Sequence, residues 1–151
     1  MTYKKTTDSG PSFFGRGGTE DIAHAAGCTA CSAIITPTEI YVGNAGDSRA
    51  VLAKRAGDKY TAYEMSEDHK PDLPTEKIRI EDAGGFVEDN RVKGVLNLSR
   101  SLGDLEYKTD TKRSQETQMI TAFPEVKIEK LTNTCEFLII ACDGIWDCLT
   151  S

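Results

Sequence analysis

The 151 residues are enough for one domain with a buried core, and 38% apolar with 28% charged residues mark an ordinary globular chain. Lys and Arg number 18 against 24 Asp and Glu, and the net charge of −6 argues against a protein held to nucleic acid by phosphate contacts while remaining compatible with a cation site. No apolar run has the length of a membrane span and the first residues are polar where a signal peptide is hydrophobic, so the chain reads as cytosolic or nuclear, with no membrane partner. The cysteines are Cys28, Cys31, Cys135, Cys142 and Cys148, an odd number in mostly apolar surroundings, which reads as reduced core thiols.

Residues 1–26 are rich in Thr, Ser, Gly and Lys without a sustained period, and read as a flexible polar leader; the folded body is expected over 27–151. A hairpin is predicted across the turn Thr36-Pro37-Thr38-Glu39, and a second across residues 55–59. Cys28 and Cys31 form a C-x-x-C, but residues three apart on a strand face opposite ways and no second pair completes a zinc site. Asp47 falls between two strand-like segments. Read alone it is a turn residue capping its own backbone, or equally one partnered by Arg49. His69 sits in a loop and reads as structural.

Pro74 in a first turn, Glu76 behind it, Ile80 and Ala83 on one side and Gly84-Gly85 as a stop predict a short helix. Short strands are expected around Asp89-Asn90, then a long polar loop or small subdomain over 105–121, then an edge strand over 123–128. The apolar run 137–142 shows no alternation, which predicts a central strand buried on both faces. Asp143-Gly144 ends it. A carboxylate fixed at the exit of a rigid strand suits coordination of a hard cation, so Asp143 is the first candidate metal ligand.

Several motifs then occur in order: Gly27-Cys28-Thr29-Ala30, Gly46-Asp47-Ser48-Arg49, Glu67-Asp68-His69-Lys70-Pro71, Ala83-Gly84-Gly85, Leu98-Ser99-Arg100-Ser101-Leu102-Gly103-Asp104, Pro124-Glu125-Val126 and Ala141-Cys142-Asp143-Gly144-Ile145-Trp146-Asp147. Together and in this order they resemble the metal-dependent serine/threonine phosphatases of the protein phosphatase 2C family. Residues 96–100 and 118–120 most resemble the gamma-type members. The resemblance implies an α+β fold in which two antiparallel sheets pack as a sandwich flanked by helices. It also implies a pair of Mg²⁺ or Mn²⁺ ions, a weaker third ion, and phosphoprotein substrates. By the same resemblance Asp143 is a ligand of the core metal pair, Asp47 and Asp143 hold the third ion, and Thr29 lies beside it.

The family's Asp-Gly-His-Gly-Gly motif, its preceding acidic ligand, its phosphate-binding Arg and its final Asp-Asn are all absent. The sequence therefore resembles the central and C-terminal part of a catalytic domain, incomplete in this chain. No catalytic residue is assigned within it, and the isolated chain is expected to be inactive. The competing expectation is a catalytically inactive phosphatase-like module that binds phosphoproteins or regulates a partner. Open sheet edges also lead us to expect a dimer.

Overall fold

The computed structural model describes residues 24–151, so the leader expected over 1–26 falls almost wholly outside the described residues. Strands β1 (Gly27–Cys28) and β2 (Ala30–Ile35) open the body, and β2 pairs antiparallel with β3 (Glu39–Ala45) across the first expected hairpin. Its turn is closed by Thr36, whose hydroxyl accepts the Glu39 N–H at 2.9 Å and donates to the Glu39 carbonyl at 3.0 Å. The second hairpin joins β4 (Arg49–Ala56) to β5 (Lys59–Glu64) through Gly57, whose φ of 66° is cheap only for glycine.

Consecutive strands β3 and β4 do not pair. The chain crosses at residues 46–48 from one three-stranded sheet, ordered β2-β3-β9, to another, ordered β10-β4-β5, with β9 spanning Glu125–Lys130 and β10 spanning Cys135–Ala141. All their pairings are antiparallel. Period-two alternation aims Ile40 and Val42 of β3 at Ala50 and Leu52 of β4, and Met65 closes this core. Each fully buried aliphatic side chain contributes about 1.5–3 kcal/mol relative to exposure. This is the expected sandwich, with few helices.

Helix α1 (Pro74–Asp82) begins with the proline at its first turn and stops before Gly84, whose φ is 81°. Its Ile80 packs with Val92 and Ile120 in a second, smaller core. That core is completed by β6 (Val87–Glu88) and β7 (Arg91–Val92), which turn at Asp89 and Asn90 with φ of 49° and 59°. The polar stretch 105–121 is the subdomain rather than the bare loop, because its end buries Gln118, Ile120 and Thr121. Strand β8 (Leu102–Gly103) pairs with β1, and α2 (Asp143–Trp146) follows β10.

Two expectations need correction. Strand β10 is not central and is not buried on both faces: β4 is its single partner among the described residues, and Phe137 and Ile139 remain 51% and 45% exposed. An unalternating apolar run is the pattern of a strand with neighbours on every side, and here the neighbours on one edge and one face are missing. The cysteines are likewise not core thiols throughout. All five are free, but Cys28, Cys142 and Cys148 are exposed, and only Cys31 and Cys135 pack against the core.

A candidate acidic site at one end of the sandwich

Asp47 and Asp143 occupy the same end of the β4–β10 ladder. Ala141 pairs with Arg49, so each aspartate lies two residues beyond that shared rung. Their surroundings differ. Asp47 is 4% exposed, and the Lys70 ammonium donates to its Oδ2 at 2.5 Å. Asp143 is exposed at the first position of a four-residue helix.

The backbone that carries Asp47 is tightly fixed. Gly46 has a φ of 123°, and a Cβ there would lie 2.4 Å from the Thr29 methyl carbon, so glycine is required twice over. Thr29 in turn shares a 2.7 Å hydrogen bond with Ser48, the residue that follows Asp47. The Gly46 carbonyl accepts from the His69 N–H at 3.0 Å and from Asn44 Nδ2 at 3.0 Å. His69 Nδ1 lies 3.2 Å from the Gly46 nitrogen and 3.1 Å from the Gly46 carbonyl oxygen, and Nε2 faces Glu125 Oε2 at 3.4 Å. Burial and then the Arg100 charge hold the imidazole below its ordinary pKa, against the opposing pull of Glu76 and Glu125. His69 is a buried residue whose backbone and ring both meet Gly46.

Arg49 is not the partner of Asp47. Its guanidinium grips Asp68 through Nε at 2.9 Å and Nη2 at 2.8 Å, and it also lies 5.3 Å from the centre of the Trp146 ring. Lys70 takes the place expected for Arg49. Burial lowers the pKa of its ammonium, but the hydrogen bond and charge of Asp47, with the charges of Asp68 and Asp147, raise it above its ordinary value. Asp147 caps the short helix that Asp143 begins. Its spacing of four residues from Asp143 was the signal that could have revealed it, since such a pair shares one helix face. Lys70 carried no sequence signal, because only the tertiary fold brings it to Asp47.

An open cleft of about 510 Å³ begins at Arg49 and Lys70 and runs to Lys127. Its cations are already matched, Arg49 with Asp68, Lys70 with Asp47 and Lys127 with Glu67. The donors at this end are carboxylate oxygens, the right kind for Mg²⁺ or Mn²⁺, and the ammonium on Asp47 occupies the position of a cation. In number they fall short. Among the described residues no group of three or more His, Cys, Asp or Glu is arranged to hold a metal ion. The described residues therefore do not by themselves fit a metal pair.

The fold is that of a phosphatase domain: the solved serine-threonine phosphatase 2C from Toxoplasma gondii superposes with a TM-score of 0.73 over 87% of this chain and 46% of its own, at 25% identity. The protein phosphatase 2C family profile matches residues 14–151, and on this match the chain belongs to that family. Protein phosphatase 2C homolog 2 of Hypocrea jecorina is 55% identical over 125 residues, which are 83% of this chain and 28% of that protein. Probable protein phosphatase 2C 4 of Paramecium tetraurelia is 52% identical over 132 residues, 87% of this chain and 42% of that protein. The chain thus spans well under half the length of these curated relatives.

Proposed function

We propose that this chain is the central and later part of a metal-dependent protein serine/threonine phosphatase, gamma-type in its closest motifs, whose complete form hydrolyses phosphoserine and phosphothreonine in proteins. The observation that carries the reading is the shared rung that puts Asp47 and Asp143 at one end of the sandwich in a chain of this family. In it Asp143 is a ligand of a core Mg²⁺ or Mn²⁺ pair, and Asp47, with Thr29 beside it, serves a weaker third ion. When bound, such ions supply positive charge to the phosphoryl oxygens and an acidified water.

The chain's own residues contribute rigidity and charge. The fixed Gly46 backbone presents Asp47 with little freedom left to lose, and Lys70 neutralises it when no other cation is near. The missing oxygen donors are assigned to sequence outside this chain. A cytoplasmic or nuclear setting accompanies the proposal, and so do phosphoprotein partners; among the described residues no helix is long and apolar enough to cross a membrane.

The test is Mn²⁺-dependent release of phosphate from a phosphothreonine peptide by a longer product of the same gene that encodes an Asp-Gly-His-Gly-Gly in frame. Activity that Asp143→Asn abolishes supports the reading. A longer product that binds phosphoprotein and releases nothing at any Mn²⁺ concentration points instead to an inactive binding module.

A further inference from the structure

The most heavily satisfied buried charge among the described residues lies outside the acidic end. Glu76, on α1, is 1% exposed, and its carboxylate accepts from Arg79 Nη1 at 2.6 Å, from Arg100 Nη2 at 2.6 Å and from the Ser99 hydroxyl at 2.8 Å. A lone ion pair would need none of the third contact. The same Ser99 proton is shared with the His69 carbonyl at 2.9 Å, and the Ser99 carbonyl accepts from Arg79 at 2.5 Å. Arg100 reaches on to the Phe123 carbonyl at 3.1 Å, and its own carbonyl lies against Gly46, where a Cβ would meet it at 3.1 Å.

These contacts make a continuous path. Glu76 orients Ser99, Ser99 fixes the His69 carbonyl, the His69 N–H fixes the Gly46 carbonyl, and the residues following those two are Lys70 and Asp47. We infer that Glu76 is a positioning residue for the acidic site, setting through Ser99 and His69 the backbone that aims both Asp47 and Lys70. It touches neither, so its effect is carried by the path alone. The pairing of Asp47 with Lys70 is short enough that small backbone displacements would weaken it. The inference deepens the proposed role of Asp47 and depends on that role only for its consequence at the metal, not for the geometry.

The experiment measures amide hydrogen exchange and Mn²⁺ binding, the latter by electron paramagnetic resonance of the free ion, on the whole chain. Glu76→Gln is the direct variant. Ser99→Ala is the second, because it leaves Glu76 paired with both arginines and survives if the first does not fold. Ile120→Val, in the same small core, controls for general loosening. The expected result is that Glu76→Gln and Ser99→Ala each speed exchange at the His69 and Gly46 amides by about tenfold, the factor set by one hydrogen bond of ordinary net strength. Amides of β3 and β4 and the Ile120→Val protein should keep their rates, and Mn²⁺ affinity should fall toward that of Asp47→Asn. Unchanged exchange at His69 and Gly46, or a uniform rise shared by Ile120→Val, overturns the inference. If Asp47→Asn leaves Mn²⁺ binding intact, the metal role of Asp47 is what fails, and the exchange rates still decide whether Glu76 positions it.

Discussion

Asp47 and Asp143 share one end of the β4–β10 ladder and little else. Asp47 is buried, matched by Lys70, and held on a backbone that Thr29, Asn44 and His69 all touch. Asp143 stands exposed on a four-residue helix at the end of an edge strand. The difference lies in which neighbours this chain supplies. Thr29, Asn44, His69 and Lys70 fix Asp47, whereas β10 has an unpaired edge among the described residues. One half of the acidic end is preorganised, and the other half is exposed.

The largest expected effect breaks the fixed half. Glu76→Gln leaves two half-buried guanidiniums without their buried counter-charge, and should cost about 3 kcal/mol of stability in urea unfolding. Acid should act on the same group. Burial pushes the Glu76 carboxyl up, but Arg100, Arg79 and Ser99 outweigh that and hold it at about 2, against 4.5 for the free group. Because the folded pKa is the lower one, the stabilisation is complete above about pH 4.5 and is lost as pH falls toward about 2. It amounts to about 3 kcal/mol, and Glu76→Gln should flatten that part of the pH–stability curve. A variant that still loses stability equally steeply across this window would assign the acid sensitivity to other groups.

Smaller effects separate the two aspartates. Asp47→Asn, which strands a half-buried ammonium, should lower stability by about 1–2 kcal/mol, while Asp143→Asn should leave the urea midpoint unchanged. In an active longer protein the order should reverse. Asp143→Asn should remove most of the activity, and Asp47→Asn should mainly raise the Mn²⁺ or Mg²⁺ concentration required.

Much of the fixed half was legible in the sequence. The two hairpins follow from β-branched runs and turn residues, α1 from its proline and glycines, and the positions of Asp47 and Asp143 from breakers placed directly after strands. The unreadable part is tertiary. Nothing local marks Lys70 as the partner of Asp47 in preference to Arg49, which is only two residues away and turns instead to Asp68. Glu76 reads as an ordinary acidic first-turn residue, and its burial becomes visible only once 99–100 fold over it. The run 137–142 was read as a central strand because its composition is that of one; the neighbours such a composition calls for are absent among the described residues.

That open edge carries the smallest prediction. Phe137 and Ile139 on β10 and Tyr60 on β5 present an apolar outer face beside an unpaired strand edge. A second copy of the chain can cover both, and a two-fold dimer is expected by light scattering at micromolar concentration. A monodisperse monomer that unfolds cooperatively would show that the chain closes its own core.

The central claim, that this chain holds a preorganised part of a phosphatase site and not the whole, is tested most directly by Mn²⁺-dependent phosphate release from a phosphothreonine peptide by the 151-residue chain itself. The account predicts no release above a no-enzyme control, because the carboxylates among the described residues are too few to hold a metal pair. Turnover that disappears in Asp143→Asn would contradict it.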